Sequence, residues 1–505
     1  MVKQRGRLAI RFPFRTLTVP VRQIAPRVSA SKLADYSAAV VLLPLKPAAA
    51  DWAAVPHGAL LRELYARKVQ KEGDCCQLRV GARAETLLVA ACPPAKASTF
   101  ERLQVAGKLA RAAMESDPTS LLLWQQGCDR EVARASLIAT VAAFEAAAFR
   151  FASFKSKPKP RPALARIDIA ISGLADLDFT IASSGGNNLA RWLTALPPNT
   201  LDAAGYRRLV KELARHLGLE YRFYGESQLR RLGAGAFLAV AQGNATRDAG
   251  IVRLSYRPRG ARAPQVSLVG KGICFDTGGT NLKPHKSMLD MHTDMEGSAV
   301  ALGSLYALHS LKSALAVDCW LAITENRIGS RAYKPQDVVR AQNGTTIQVI
   351  HTDAEGRMVL ADALCLAARE KPGAIIDYAT LTGACVYALT ERYSGAFTNR
   401  PEAREAIEAA GASSGERVWV FPMDKDFETD IDSSVADVLQ CSSDSKGDHI
   451  LAACFLNRFV PKSIPWLHLD LAAGTRHGGL GHIATEITGF GVRYTLELLR
   501  RGWPV

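Results

Sequence analysis

The segment from His351 to Arg357, which reads His-Thr-Asp-Ala-Glu-Gly-Arg, constrains the fold most because it concentrates charge between two apolar stretches. Residues 345–350 predict a buried strand, and residues 358–370 predict a helix. Residues two apart in extended chain point to the same side. Three charged side chains are therefore expected on one side of the strand's end: Asp353, Glu355 and Arg357. Taken alone, the segment fits a salt-bridged turn equally well.

A second charged cluster lies upstream. Residues 266–269 predict a strand that leads into Gly270-Lys-Gly-Ile-Cys-Phe-Asp-Thr-Gly-Gly279. Four carboxylates in one place would repel one another, whereas two divalent ions such as zinc, manganese or magnesium would cancel their charge. A lysine can join such a site only as the neutral amine. The His-Glu-x-x-His spacing of a single-zinc protease is absent from the sequence. The two clusters together offer Lys271, Asp276, Lys283, Asp294, Asp353, Glu355 and Arg357.

These two motifs resemble the signatures of the cytosolic two-metal leucine aminopeptidase family. The motifs read GKGICFDTGGTNLKP over 270–284 and HTDAEGRMVLADAL over 351–364, and the resemblance extends from about Phe149 to the C-terminus. It implies a metal-dependent aminopeptidase that removes the N-terminal residue from short peptides. Matched position by position, it implies a tight metal site at Lys271, Asp276, Asp294 and Glu355, and an exchangeable site at Asp276, Asp353 and Glu355.

The same resemblance assigns roles to residues beside the two metals, which are expected to be zinc or manganese. Lys283 corresponds to the catalytic lysine, which as ammonium would stabilise the oxyanion. Arg357, with the backbone at Leu381, corresponds to the site of a bicarbonate ion that shuttles protons. The pocket for the first side chain, expected to prefer bulky apolar residues, corresponds to Met291, Thr380 and Gly383.

Three residues depart from the family pattern close to the expected metals. Thr277 replaces a serine, His351 replaces an asparagine, and Glu296 replaces a glycine. His351 fits either a strand-end packing residue or a pH-dependent neighbour of the anion or substrate. For Glu296, an acid at a helix N-terminus is favourable by about 0.3–1 kcal/mol, which suffices to explain it.

The fold class expected is α/β, with a small N-terminal α/β domain before a larger C-terminal catalytic domain. Alternating strands and helices predict a mixed central sheet flanked by helices. The expected divisions are a basic extension over 1–35, an α/β domain over 36–160 and the metallo-aminopeptidase domain over 161–505. The strand predicted over 165–171 would open this last domain, and 235–243 resembles a turn before the central sheet.

The chain carries a formal net charge of +15, and no acidic residue precedes Asp35. Residues 7–15 alternate like a solvent-facing strand; an organellar transit peptide is the alternative. Scattered cysteines in apolar runs and the lack of an eighteen-residue apolar run indicate a cytoplasmic protein with no membrane contact. The resemblance implies a homohexamer acting on peptides. Since some bacterial members of the family also bind DNA, a DNA-binding hexamer with secondary or absent peptidase activity is the alternative function.

Two short motifs are rejected as functional. Gly411-Ala-Ser-Ser-Gly415 matches the hydrolase nucleophile elbow, which requires a strand, a turn and then a helix, whereas here a helix is predicted before it and a strand after it. Gly479-Leu-Gly-His-Ile-Ala484 resembles a dinucleotide-binding loop, but too few residues follow it for the rest of that unit.

Overall fold

The computed structural model describes residue 10 and residues 12–81, 85–158, 161–258, 260–261 and 263–503. Within these residues the N-terminal part forms a sheet of six strands in the order β1-β6-β5-β2-β4-β3, in which only β3 and β4 pair antiparallel. Its strands are β1 (Val21–Ile24), β2 (Ala38–Leu42), β3 (Cys75–Val80), β4 (Thr86–Ala91), β5 (Ser120–Gln125) and β6 (Arg166–Ala170). Its helices are α1 (Ala30–Leu33), α2 (Ala49–Ala54), α3 (Gly58–Lys68), α4 (Thr99–Met114) and α5 (Arg130–Ala148).

The C-terminal part contains a larger mixed sheet of eight strands over the described residues, in the order β15-β14-β17-β13-β9-β10-β8-β7, and a small sheet in the order β11-β12-β16. Its strands are β7 (Glu220–Gly225), β8 (Gly250–Tyr256), β9 (Val266–Asp276), β10 (Val317–Asn326), β11 (Val338–Arg340), β12 (Thr346–Gln348), β13 (Ala374–Ala379), β14 (Ser394–Thr398), β15 (Val418–Val420), β16 (Val438–Leu439) and β17 (Trp466–Asp470).

Helices cover both faces of the eight-stranded sheet. The α-helices of this part are α6 (Leu177–Thr194), α7 (Ala203–Leu217), α8 (Glu226–Arg231), α9 (Gly235–Ala241), α10 (His285–Met288), α11 (Glu296–Ser310), α12 (Glu355–Arg369), α13 (Gly383–Leu389), α14 (Arg404–Ser414), α15 (Asp448–Asn457) and α16 (Val492–Arg500). Short 3-10 helices occupy Met291–Thr293, Thr390–Arg392, Pro401–Ala403 and Lys425–Ile431. Helices α6, α7, α11 and α16 share one apolar core with the sheet, and α9, α12 and α15 share the other.

The central strands β9 and β13 are buried almost throughout, which their apolar composition explains. Parallel strands covered by helices on both faces need apolar side chains in both directions. The expected α/β architecture with a mixed central sheet flanked by helices is confirmed. Among the described helices, none is long and apolar enough to cross a membrane.

Several local predictions were wrong. Strand β6, predicted to open the catalytic domain, pairs instead with β1 and β5 in the N-terminal sheet. The division of the chain into domains itself stays a prediction. Gly235–Ala241 is a helix rather than a turn. Of the strand predicted over 7–15, residues 7–9 and 11 lie outside the described residues, and residues 10 and 12–15 form no strand. Phe12 is instead buried, its ring centroid 5.3 Å from that of Trp192, because apolar contact decides its position.

The start of α12 also differs from the prediction. The helix begins at Glu355, three residues earlier than expected, so Glu355 and Arg357 lie in its first turn rather than along an extended strand end. The preceding strand, β12, is short and belongs to the small sheet. The nucleophile-elbow motif begins inside α14, ends at Gly415 just after that helix, and is followed by β15, as its rejection requires.

Candidate metal centre

Four neighbouring strands of the eight-stranded sheet, β17, β13, β9 and β10, bring polar side chains to one edge. Asp276 is the last residue of β9, and its register partner on the parallel neighbour β10 is Asn326. Thr380 directly follows β13, and Asp470 ends β17. Ligand sites in open α/β sheets form where strands end. This edge is therefore where the charged residues of both sequence motifs are expected to meet.

Glycines on β9 allow helix α11 to pass directly against the strand. A Cβ atom on Gly270 would lie 2.4 Å from the Cα atom of Ser298, a distance that side chains essentially never show. A Cβ atom on Gly356 would lie 2.7 Å from Cε of Lys271. Gly270 on β9 and Gly356 on α12 thus permit α11 and α12 to pack closely against this strand. It brings the residues before α11 and at the start of α12 to the same lysine.

Lys271 lies at the centre of this packing with its side chain almost fully buried. Its Nζ atom is 2.8 Å from Oδ1 of Asp294 and 3.0 Å from Oε1 of Glu355. It also donates to the carbonyl oxygen of Thr380 at 2.9 Å. Burial opposes the charged form, but the carboxylates of Asp294 and Glu355 outweigh it, and the pKa of Lys271 is raised. Three of the four residues expected at the tight metal site therefore contact one another.

Lys283 forms a second ion-pair group on the cleft side of the centre. Its Nζ atom is 2.6 Å from Oδ1 of Asp353 and 3.0 Å from Oδ2 of Asp276. Burial opposes the charge of Lys283, but Asp276 and the other carboxylates raise its pKa, so it is an ammonium ion. The backbone N–H of Gly278, at φ +86°, donates to Oδ1 of Asp276 at 2.8 Å. The loop after β9 thereby fixes the orientation of this carboxylate.

Asn326 is a residue of the centre that the sequence analysis missed. Its Nδ2 atom donates to Oδ1 of Asp276 at 2.8 Å, to the carbonyl oxygen of Thr352 at 3.0 Å and to Oε2 of Glu355 at 3.3 Å. It therefore orients two carboxylates from different elements. The signal available in the sequence was the polar ending Thr324-Glu-Asn326 of an apolar stretch. Tyr333 was missed as well, and its hydroxyl donates to the carbonyl oxygen of Thr352 at 2.7 Å.

The donor set fits a divalent metal ion. Asp276, Asp353 and Glu355 each offer a carboxylate oxygen, and these atoms all lie within 4.8 Å of one another. These are the residues expected to form the exchangeable site, and oxygen donors suit hard or borderline cations. Oδ2 of Asp294 is buried and has no hydrogen-bond partner among the residues that the structure describes. A buried acceptor of this kind needs a cation or a donor beside it.

The pKa shifts of these carboxylates also indicate that the cluster needs a cation beside it. Burial, together with the neighbouring carboxylates of Asp276 and Glu355, raises the pKa of Asp353 to about 7. Burial likewise raises the pKa of Asp294 and of Glu355. Like charges held together favour protonation unless a cation neutralises them. The cluster is therefore arranged to accept positive charge.

A cleft of about 710 Å³ opens over the centre. Met291 lies in the 3-10 helix before Asp294, Thr380 follows β13, and Gly383 begins α13. All three line the cleft, together with Leu381, Val386 and Leu471. Oγ1 of Thr380 donates to Oδ1 of Asp294 at 2.7 Å, so this residue also touches the metal-ligand set. The residues expected to bind the first side chain thus lie beside the charged cluster.

Arg357 and the backbone at Leu381, the expected bicarbonate ligands, contact carboxylates of the chain itself. Nη2 of Arg357 donates to Oδ1 and Oδ2 of Asp448 at 2.8 and 2.9 Å. The N–H of Leu381 donates to Oδ1 of Asp470 at 3.1 Å. Asp448 was not predicted as a site residue, because it follows an irregular segment with no periodic pattern. Its position at the start of α15 was the one available signal.

The three departures close to the expected metals differ in environment. His351 lies at the surface, and its Nδ1 accepts from the N–H of Asp353 at 3.3 Å. The partial burial of its ring and the positive charge of Lys283 both lower the pKa of His351. Glu296 is fully buried at the start of α11, and burial raises its pKa to about 8. It is therefore a protonated acid near neutral pH, so the favourable negative charge at a helix N-terminus that was expected to explain it is absent. Thr277 closes the loop after β9 by donating from Oγ1 to the carbonyl oxygen of Asn326 at 2.9 Å.

Comparisons with known proteins agree with this site. A family model described as "Cytosol aminopeptidase family, catalytic domain" matches residues 188–496. A "Probable cytosol aminopeptidase" of Synechococcus sp. (strain CC9311) is 35% identical over 443 residues, which cover 85% of this chain and 88% of the relative. A protein of the same description from Aquifex aeolicus (strain VF5) is 40% identical over 316 residues, covering 62% of this chain and 64% of the relative.

Two solved structures are similar over nearly the whole chain. A bottromycin maturation enzyme, BotP, in complex with Mn is 30% identical with a TM-score of 0.79, and the match covers 92% of this chain and 99% of that one. A mutant of tomato leucine aminopeptidase is 25% identical with a TM-score of 0.81, covering 96% of this chain and 97% of that one. The similarity therefore includes the N-terminal sheet as well as the part that holds the candidate metal centre.

Proposed function

The chain belongs to the cytosol aminopeptidase family and is a peptide hydrolase, and from this premise we propose that it removes N-terminal residues from short peptides at a centre of two divalent metal ions. The observation that carries the proposal is the convergence of carboxylate oxygens from Asp276, Asp353 and Glu355 within 4.8 Å of one another. Asp294 and Lys271 complete the set that would hold the second ion, with Lys271 as the neutral amine after the dication displaces the proton that it holds beside Asp294 and Glu355. Manganese and zinc are the proposed metals, and the manganese complex of the related BotP supports manganese.

Divalent ions bound by these residues would polarise a peptide carbonyl and supply a hydroxide nucleophile near neutral pH. The protein's own contribution is to place and orient charged groups. Lys283, an ammonium ion at the cleft side, is positioned to donate to the oxygen on which negative charge develops. Asn326 holds the carboxylates of Asp276 and Glu355 in fixed orientations, so little reorganisation is needed during the reaction.

The proposed substrate preference is a bulky apolar first residue, such as leucine or methionine. Support comes from Met291, Val386 and Leu471, which give the cleft beside the centre an apolar wall. Gly383 leaves that wall open, since a Cβ atom added there would meet nothing within 4 Å. A branched or long apolar side chain would bury its surface against this wall, at about 25 cal/mol per Å² of apolar area removed from water.

A homohexamer located in the cytoplasm is also proposed, on family membership alone. The alternative of a DNA-binding hexamer stays a prediction that rests on the net charge of +15. The presence of every charged residue of the expected catalytic set favours the peptidase.

The direct test is hydrolysis of a leucine anilide by the purified protein loaded with Mn²⁺ or Zn²⁺. We expect release of the aniline by the wild type and loss of activity in Asp353→Ala, which removes one carboxylate of the converging set. Asp430→Ala is the matched control, because Asp430 is an exposed acid outside the cleft. An inactive metal-loaded wild type, or full activity in Asp353→Ala, would refute the proposal.

A further inference from the structure

The guanidinium of Arg357 is already occupied by an anion of this chain. Its side chain is 1% exposed, and Nη2 contacts both carboxylate oxygens of Asp448 at 2.8 and 2.9 Å. Nη1 donates to the carbonyl oxygen of Gln440 at 3.2 Å. Peptide hydrolysis requires a proton acceptor in this cleft. We propose, on the basis of the proposed function, that Asp448 is this acceptor and takes the place of a free bicarbonate ion.

The second group expected to bind bicarbonate is also engaged. The N–H of Leu381 donates to Oδ1 of Asp470 at 3.1 Å, and the hydroxyl of Thr382 donates to Oδ2 of the same carboxylate at 2.6 Å. A bicarbonate ion would have to displace both carboxylates and add a negative charge beside them. Like charges at such distances repel one another strongly in a partly buried site. The residues at this position therefore do not fit a bound bicarbonate ion.

The fold holds Asp448 where an anion is favourable. It is the first residue of α15 and follows Gly447, whose φ of 61° is the left-handed conformation that lets the chain turn into the helix. The helix N-terminus stabilises a negative charge by about 0.3–1 kcal/mol. Apolar residues of α15, including Leu451 and Phe455, anchor the helix in the core that it shares with α12. Asp448 and Arg357 are thereby held together by two packed helices.

Asp448 is also placed to exchange protons with the cleft. It lines the same cleft as Asp353, Lys283 and Thr380, and its side chain is 25% exposed, whereas Arg357 is buried. Arginine remains charged at all accessible pH values, so it can hold the carboxylate but cannot take up the proton. Arg357 is therefore a positioning residue, and Asp448 is the residue that accepts and donates the proton.

The proposed steps balance without another reactant. The oxygen of a water molecule forms a bond to the carbonyl carbon of the scissile peptide, and the carboxylate of Asp448 accepts the proton that the water loses. The C–N bond then breaks, and the proton passes from Asp448 to the nitrogen of the leaving peptide. The carboxylate of Asp448 is restored at the end of each cycle. A positioned acid–base group of this kind contributes about 10²–10⁴-fold to the rate.

The test compares Asp448→Ala with Asp448→Asn in buffer depleted of carbon dioxide and in buffer with added bicarbonate. We expect wild-type activity to be the same in both buffers. Asp448→Ala should lose about 10²–10⁴-fold in kcat and regain activity with bicarbonate, because it frees Arg357 and opens space. Asp448→Asn should lose the same activity without rescue, because the amide fills the space and accepts no proton. Asp444→Ala is the control, an exposed acid four residues upstream that does not line the cleft.

A binding measurement separates this proposal from the peptidase function. Line broadening of ¹³C-bicarbonate in solution should appear with Asp448→Ala and be absent with the wild type, whether or not either protein cleaves peptides. If the wild type is inactive but bicarbonate still binds only to Asp448→Ala, the peptidase function and the proton-accepting role are both overturned. The occupation of the bicarbonate position by Asp448 would then still stand. Bicarbonate binding to the wild type, bicarbonate-dependent wild-type activity, or a fully active Asp448→Ala would overturn the proposal.

Discussion

Lys283 is the residue whose charge matters most for the proposed chemistry. Its ammonium group contacts Asp276 and Asp353 at 3.0 and 2.6 Å and lies at the wall of the cleft. We expect Lys283→Met to lower kcat by about 10²–10³-fold, the usual cost of removing one donor from a site where an oxyanion forms. Steady-state kinetics with metal analysis of the same samples measures this.

The control for that variant is Lys286→Met, since Lys286 is exposed and only three residues away. A loss in Lys283→Met that is matched by a loss of bound metal would assign the lysine to metal retention instead. Unchanged kcat with unchanged metal content would remove Lys283 from the mechanism.

Glu145 on α5 predicts a pH dependence of stability far from the metal centre. Its Oε2 accepts from the N–H of Val19 at 2.9 Å, and Oε1 has no hydrogen-bond partner within the described part of the chain. Burial raises its pKa from 4.5 to about 8. Between these pH values the unfolded chain releases a proton that the folded chain keeps, so stability falls as pH rises and the loss is complete above about pH 8.

We expect Glu145→Gln to keep the contact with Val19 and to lack this loss. The variant should match the wild type near pH 4.5 and be more stable at pH 8.5 by up to a few kcal/mol, since one pKa unit corresponds to about 1.4 kcal/mol. Thermal unfolding at the two pH values measures the difference. Glu131→Gln, an exposed acid on the same helix, is the control. A constant offset between Glu145→Gln and wild type would contradict the assignment.

At the scale of elements, the approach of α11 to β9 determines where Asp294 meets Lys271. Gly270→Ala would place a Cβ atom 2.4 Å from the Cα atom of Ser298, a backbone atom that cannot move without the helix. We expect this variant to lose about 1–3 kcal/mol of stability and to bind metal more weakly, because Asp294 is displaced. Unfolding in urea and metal titration measure the two effects.

Gly383→Ala is the control for stability alone, since a Cβ atom at that position meets nothing within 4 Å. Wild-type stability and metal affinity in Gly270→Ala would show that the helix can shift without cost.

The sequence predicted the elements whose periodicity was clear and missed those that depend on tertiary contacts. Strand β9 begins at Val266, where the apolar pattern over 266–269 predicted a strand. The early start of α12 at Glu355 was missed because charged residues in a first turn look like loop. Strand β6 was assigned to the wrong sheet, because its apolar pattern carries no information about its pairing partners.

The residues of the candidate site fall into the same two groups, those that the sequence predicted and those that it missed. The motifs identified every charged residue that the structure brings together around Lys271 and Lys283. Asn326 and Asp448 were missed, because each acts through a contact with a residue distant in sequence. The motif letters also predicted an anion ligand for Arg357 but not that the chain supplies the anion itself.

At the scale of the whole molecule, exposed apolar side chains near the cleft predict further assembly. Leu282 adjoins Lys283, Leu289 follows α10, and Tyr387 adjoins Val386 of the cleft; they are 55%, 66% and 91% exposed. Light scattering should give a mass near six times 54.4 kDa, because identical chains usually assemble with closed symmetry and a hexamer is the proposed form. Cleavage should also fall off as substrates lengthen, because an enclosed site admits only short peptides.

Asp substitutions at Leu289 or Tyr387 should lower that mass, because burying a charge in an apolar interface is unfavourable. Substitution of Leu60 by Asp tests an equally exposed apolar residue in the N-terminal part of the chain. A stable, fully active monomer would rule out the hexamer and leave substrate length unselected.

The most direct measurement of the central claim is the number of metal ions per chain, followed together with activity. Protein stripped with a chelator is titrated with Mn²⁺ while bound metal and release of leucine from a leucine anilide are both recorded. The arrangement of Lys271, Asp276, Asp294, Asp353 and Glu355 predicts two ions per chain, with activity that requires them, and loss of one ion in Asp353→Ala. Activity in metal-free protein, or binding of two ions by Asp353→Ala as tightly as by the wild type, would contradict it.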